Sequence, residues 1–249
     1  MSLVAQFMMI KADWNAPDNI EALVTTRRGG VSSKPFDDFN LATHVGDEPQ
    51  VVRQNRQLLA ENIEPGLSLQ WLQQQHGIRV VRAEDCDKLP EADAIVSRQS
   101  GIACCILTAD CLPIFLTSKN GDEVAVIHAG WRGLAQGILK ATIDQMNTPA
   151  IQIMIWFGPA IGPCHFEVGS EVRSAFKENT ATEYNCFKPT HQEGKYMADL
   201  YGIAKAQATS AGVVDINGGD YCTYCTPELF YSYRREGVTG RMASLIYIK

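Results

Sequence analysis

Apolar residues along this chain form two kinds of pattern, and the contrast between them predicts most of its elements. Ile102 to Leu107, Leu112 to Leu116, Val124 to Ile127 and Ile151 to Phe157 are short apolar runs without polar alternation. A strand covered on both faces has that signature, because each face then needs apolar side chains. Ile20 to Thr26 is a fifth run. It breaks at Arg27-Arg28-Gly29-Gly30-Val31-Ser32, which reads as a strand entering a turn with unusual backbone angles. Leu67 to Gln73 and Ile78 to Val81 predict two strands around a break at His76-Gly77. Asp220 to Cys225, Phe230 to Tyr233 and Met242 to Ile248 predict three more, with an Arg-rich loop between.

Helical spacing marks the rest. Asp47 to Ile63 opens with acids and Pro49 and then places Val51, Val52, Leu58, Leu59 and Ile63 on one face. Gly133 to Met146 does the same with Leu134, Ile138, Leu139, Ile143 and Met146, which makes Ala129 to Gly133 a strand-to-helix turn. Ser170 to Lys177 and Met197 to Ala211 predict two further helices, the second stopped by Gly212. Lys119-Asn120-Gly121-Asp122 supplies turn residues, so the segments on either side form a hairpin-like unit. No repeat, low-complexity linker or shift in composition divides the chain. The expectation is a single α+β domain over residues 1–249, with residues 1–9, where Met1-Ser2-Leu3 precedes Met8-Met9, as a leader or flexible segment.

Composition narrows the partners. A net charge of -6, with no basic run longer than Arg27-Arg28 or Arg234-Arg235, argues against nucleic acid, whose affinity comes from clustered cations. No apolar run approaches the roughly 20 residues that span a bilayer. The start lacks the regions of a signal peptide, so no membrane partner and a cytoplasmic location are expected. Eight cysteines in 249 residues are too dilute for a disulfide scaffold. They read instead as buried hydrophobes, ligands or nucleophiles. Nothing in the pattern fixes an oligomeric state.

Candidate chemistry gathers at the ends of the strand-like runs. Cys111, in Thr108-Ala109-Asp110-Cys111-Leu112-Pro113, follows one run; His128, in His128-Ala129-Gly130-Trp131-Arg132-Gly133, follows another; His76 sits at the break in Gln75-His76-Gly77. Zinc takes thiolate and imidazole ligands in tetrahedral geometry, and three protein ligands leave a fourth position open. The spacing is not a short ligand motif, so each residue could equally be structural.

These motifs, together with Thr26-Arg27-Arg28-Gly29-Gly30-Val31-Ser32, His44-Val45-Gly46-Asp47, Gly158-Pro159-Ala160-Ile161-Gly162-Pro163 and Thr239-Gly240-Arg241-Met242-Ala243, resemble in order the YfiH/YlmD family, or laccase-domain proteins. The resemblance covers nearly the whole chain. It implies a mixed β-sandwich flanked by helices and a zinc site of His76, Cys111 and His128. It also implies activity on purine nucleosides: phosphorolysis of adenosine, inosine and methylthioadenosine, with adenosine deamination as a companion.

Phosphorolysis asks for an anion site. Arg27 beside Gly29-Gly30 is one candidate, and Arg241, Arg234 and Arg235 are others, since guanidinium pairs with two phosphate oxygens and glycine lets amides converge. For deamination a carboxylate must shuttle protons, and Asp110 adjoins Cys111; it could equally orient a ligand. Three alternatives remain. Cys111 and His128 could act without metal as nucleophile and base on an amide, with turn amides near Gly130 stabilising the oxyanion. Copper in the same trio could oxidise phenols, although five histidines leave too few for a multicopper cluster. A fourth protein ligand could close the site into a structural one. Cys222-Thr223-Tyr224-Cys225 lacks a second pair and reads as two small strand residues, and His165 is not assigned as a ligand.

Overall fold

The computed structural model describes residues 8–86, 88–176 and 185–249. Its five-stranded sheet has the order β1 (Met9–Lys11), β2 (Ile20–Thr25), β14 (Met242–Ile248), β6 (Ile102–Thr108) and β3 (Ser68–Gln70). Its six-stranded sheet has the order β13 (Asp215–Gly218), β9 (Ile153–Phe157), β7 (Leu112–Ser118), β8 (Val124–Ala129), β5 (Ala94–Ser97) and β4 (Val80–Arg82). A small third sheet joins β10 (Glu167–Gly169), β12 (Lys195–Ala198) and β11 (Phe187–Pro189). Both parallel and antiparallel pairs occur, which makes the larger sheets mixed.

Strand alternation explains the unbroken apolar runs. Cys104 and Ile106 of β6, Ile246 of β14, Phe115 of β7 and Val124 and Val126 of β8 share one buried cluster between the two large sheets. Their neighbours Cys105, Leu107, Leu245 and Tyr247 point the other way, against Leu59 of helix α1 (Pro49–Glu61) and Phe39 and Leu41. On the far side, Ile114, Leu116, Ala125 and Ile127 pack on helices α2 (Trp131–Gln136), α3 (Ile138–Gln145), α4 (Ser170–Ala175) and α5 (Leu200–Ser210). With apolar cover on both faces, these strands have no place for polar alternation. The α+β sandwich flanked by helices is as expected.

Several boundaries differ from the sequence reading. The helix expected over Gly133 to Met146 starts earlier, at Trp131, and is two helices, because Gly137 adopts a left-handed φ of 91° that stops α2. Met197 and Ala198 belong to β12, and Asp199 caps α5 by accepting the Gly202 N–H at 3.0 Å. Phe230 to Tyr233 is not a strand: Ser232 caps the short helix α6 (Tyr233–Glu236). Asp220 to Cys225 is not one either, since a single bridge from Cys222 to Ala160 gives way to turn. Residues 1–7 of the expected leader, and Lys177 at the end of an expected helix, lie outside the described residues; Met9 opens β1. Among the described residues, no helix is long and apolar enough to cross a membrane.

Candidate metal and nucleoside site

His128 lies two positions beyond Val126 on β8, so alternation puts it on the inter-sheet face at the strand's end. Its ring Nδ1 is 2.8 Å from Oδ1 of Asp93, and both side chains are almost wholly buried. An ionised carboxylate only accepts, so Nδ1 carries the proton and Nε2 is left as a ligand or base. His76 holds a left-handed φ of 59°, uncommon for a residue with a side chain. Asp93 secures it there: Oδ1 accepts the His76 N–H at 2.9 Å, while Oδ2 accepts those of Gln75 at 3.1 Å and Gly77 at 2.7 Å. Burial by itself would raise the Asp93 carboxyl, but His128 and these amides hold it below its ordinary value. One acid therefore aligns both histidines.

Cys111 sits in the turn from β6 to β7. Asp110 before it has a φ of 91°, and its two oxygens accept from the Thr223 hydroxyl at 2.6 Å and the Arg234 N–H at 2.7 Å. Both are thus engaged in fixing the turn. Cys111 Sγ is 3.9 Å from His76 Nε2, and the His76 and His128 rings meet edge to face with centroids 4.6 Å apart. The ligand atoms of the trio all lie within 4.8 Å of one another. Tetrahedral zinc, with sulfur at about 2.3 Å and nitrogen at about 2.1 Å, separates its S and N ligands by about 3.6 Å, so the trio fits one ion. Gly130 leaves room for it: a Cβ there would stand 3.1 Å from His76 Cδ2 and 3.2 Å from Cys111 Sγ.

Burial opposes charge on Cys111 and on His128, yet each supplies the other's counter-charge. His128, helped by His76, pulls the Cys111 thiol down to about 6. Cys111 and Asp93 push His128 up to about 9. Each group thus favours the charged form of the other. Thiolate is the form that ligates metals and attacks carbonyls.

The trio opens into a cavity of about 570 Å³, within the usual range for a small-molecule site. Trp131, Phe166 and Tyr233 line it, and each ring carries a guanidinium on its face: Arg132 at 4.6 Å, Arg234 at 5.4 Å and Arg241 at 5.8 Å from the centroid. The cavity thus presents flat apolar walls and cationic groups together. His44 lines it as well, its charging disfavoured by burial and by Arg241 and Arg56.

Arg27, expected as a phosphate ligand, does not line this cavity; it lines a separate surface pocket with Arg28 and Lys34. Its guanidinium is mostly buried over the Tyr231 ring, donates to the carbonyls of Asp37 and Pro227, and pairs with Glu236 at 2.7 Å. Those partners engage Nε and Nη1 in a structural contact, while Nη2 stands 3.8 Å from the Asp37 carboxylate. Arg235 is likewise engaged, with the carbonyls of Thr223, Tyr224 and Phe230 and with Glu236. Asp93 and Arg132 were missed in the sequence. An acid at the mouth of the fully buried strand Ala94–Ser97 was the available signal, because a buried charge needs partners. His165, set aside earlier, lies beside Cys164, Cys222 and Cys225.

A family model described as multi-copper polyphenol oxidoreductase laccase matches residues 21–249. A purine nucleoside phosphorylase of Pseudomonas aeruginosa is 47% identical over 237 residues, covering 95% of this chain and 97% of its own. The purine nucleoside phosphorylase YfiH of Escherichia coli is 43% identical, with 96% and 98% covered. Among solved structures, a Neisseria meningitidis protein superposes with a TM-score of 0.93 at 43% identity, covering 97% of this chain and 99% of that one. YlmD from Geobacillus stearothermophilus gives 0.84 at 31% identity, covering 98% of each.

Proposed function

The chain belongs to the laccase-domain family that includes YfiH, and from that premise we propose that it is a zinc-dependent purine nucleoside phosphorylase acting on adenosine, inosine or methylthioadenosine, with adenosine deamination as a companion activity. The observation that carries the reading is the shared cavity, where the His76, Cys111 and His128 trio faces aromatic rings overlaid by Arg132, Arg234 and Arg241. A purine is a flat aromatic surface, and Trp131, Phe166 and Tyr233 with the guanidinium planes laid over them give it aromatic and cationic groups to pack against. Arg241 and Arg132 supply charge for the phosphate dianion. When bound to the trio, zinc supplies Lewis-acid polarisation and lowers the pKa of a coordinated water to about 7. Asp93 fixes the proton on Nδ1 of His128, and Asp110 positions Cys111 through its two bonds to Thr223 and Arg234.

Incubating the zinc-loaded enzyme with adenosine, with and without phosphate, tests this. Adenine and ribose 1-phosphate, formed only with phosphate, are expected; inosine reports deamination. Neither product at any zinc content overturns both activities. A second reading, amide hydrolysis by Cys111 and His128, is favoured by the lowered thiol and by the Asp93 bond that orients the base. It predicts that chelation spares turnover while alkylation of Cys111 removes it. Copper-dependent phenol oxidation predicts oxygen uptake after copper loading and none with zinc.

A further inference from the structure

Outside the trio, the loop after β9 and the turn before α6 bring Cys164, His165, Cys222 and Cys225 together, and we propose that these four residues form a second, closed zinc site that staples the two segments. Cys164 Sγ is 3.9 Å from Cys222 Sγ and 3.5 Å from Cys225 Sγ. His165 Nδ1 is 3.1 Å from Cys164 Sγ and 3.2 Å from Cys225 Sγ. All four ligand atoms lie within 4.8 Å of one another. A tetrahedral zinc with three thiolates and one imidazole sets sulfurs about 3.8 Å apart and sulfur from nitrogen about 3.6 Å apart. The four atoms therefore already stand close to the corners of that tetrahedron. Three thiolates and an imidazole are a soft donor set that suits zinc, and no fifth position is needed.

The backbone is arranged for the cluster rather than for any one of its members. The Gly162 N–H donates to Cys222 Sγ at 3.2 Å, the kind of bond that stabilises a ligating thiolate. A Cβ at Gly162 would stand 3.2 Å from that sulfur and 3.5 Å from Cys164 Sγ. The His165 N–H bonds the Gly162 carbonyl at 3.1 Å, closing a turn that brings two consecutive residues to one side. The His165 ring stacks on Tyr224, centroids 4.0 Å apart and 15° from parallel, which fixes its plane. From the other segment, the Thr223 N–H bonds the Ala160 carbonyl at 2.9 Å and registers the Cys-x-x-Cys turn against the loop.

The position gives the staple a purpose. Thr223, between the two ligands Cys222 and Cys225, is the residue whose hydroxyl holds Asp110 beside Cys111. Arg234, which lines the cavity, donates to the carbonyls of His165 and Glu167. A metal here would lock one wall of the nucleoside cavity without touching the reaction.

The test is metal content and sulfur coordination in the purified full chain. Two zinc ions per chain are expected. Cys111→Ala should retain one, and X-ray absorption of that variant should show three sulfurs and one nitrogen around it. Cys222→Ser with Cys225→Ser should retain only the ion with one sulfur ligand and melt several degrees lower, and His165→Ala should weaken the second ion at least tenfold. Should the serine variant not fold, the wild-type spectrum still decides, because two occupied sites average two sulfurs per zinc where the trio alone gives one. The proposal is overturned if all zinc is lost with Cys111→Ala, or if Cys222 and Cys225 are recovered as a disulfide in chain that carries zinc at the trio alone.

Discussion

Replacing Asp93 with asparagine tests how far one buried carboxylate organises the trio. Both of its oxygens face donors: Oδ1 meets the His128 Nδ1–H and His76 N–H, and Oδ2 meets the amides of Gln75 and Gly77. Asparagine keeps one oxygen, so whichever way the amide flips, its NH2 group confronts two N–H groups, those of Gln75 and Gly77 or those of His76 and His128. A hydrogen bond lost with its donor left buried costs about 1–3 kcal/mol, and since only the His128 donor is wholly buried, a loss of about 1–3 kcal/mol in stability is expected. Loss of an acid that orients metal-binding histidines costs about 10–100-fold in metal affinity. Urea unfolding and competition with a chromophoric zinc chelator read the two effects separately. If Asp93→Asn binds zinc within twofold of the parent chain and unfolds at the same urea concentration, the carboxylate does not hold the site and the reasoning fails.

Four other outcomes can be checked with the same preparations. Gly130→Ala should displace His76 and Cys111 by a few tenths of an ångström and lower zinc affinity while leaving the melting temperature nearly unchanged; unaltered affinity would show that the contact yields freely. Arg241→Ala should raise the KM for phosphate about 10–100-fold, the loss of a charge-assisted hydrogen bond, in steady-state assays. Arg27→Ala should cost about 1.5–3 kcal/mol in unfolding experiments, since it removes one of the two guanidinium partners of Glu236, and leave that KM alone; the opposite pattern would point to Arg27 as the anion site. Burial would raise the Glu236 carboxyl, but Thr239, Arg27 and Arg235 hold it below its ordinary value. A depressed folded pKa means the contribution is complete above the unfolded value, about 4.3, and lost as pH falls through the folded one. Glu236→Gln should flatten the fall in urea midpoint below that pH, and an unchanged slope would assign it elsewhere.

The chain announced its strands better than its site. Ile102 to Leu107 and Leu112 to Leu116 were readable because two covered faces leave no polar positions, and the core clusters on either side bear this out. His76, Cys111 and His128 could be singled out by their places at strand ends, and the structure does bring them together. Asp93 offered only its place at the mouth of a buried strand, because the amides it serves come from a turn 16 to 18 residues away. The surroundings of Arg27 were hidden for a related reason: glycines beside an arginine suggest an anion cradle, and its partner Glu236 is 209 positions distant. Cys222 and Cys225 looked like a pair without a counterpart because Cys164 and His165 lie some 60 positions earlier and reach them through the Ala160 bridge and the Gly162 N–H. In each case, local pattern records which face is covered, and contacts made by loops leave no period behind.

The place of β14 between β2 and β6 has a consequence for how the molecule is made. Residues 242–248 pair with Ile20–Val24 on one side and with Cys104–Thr108 on the other. On the ribosome, β1–β2 and β6–β3 therefore have no strand to join them until residues 242–248 have emerged. Arg241, at the entrance to that strand, reaches the cavity in the same moment. Translation thus delivers the central strand of one sheet and a wall of the cavity together, and a growing chain cannot present a finished pocket on an unfinished sandwich.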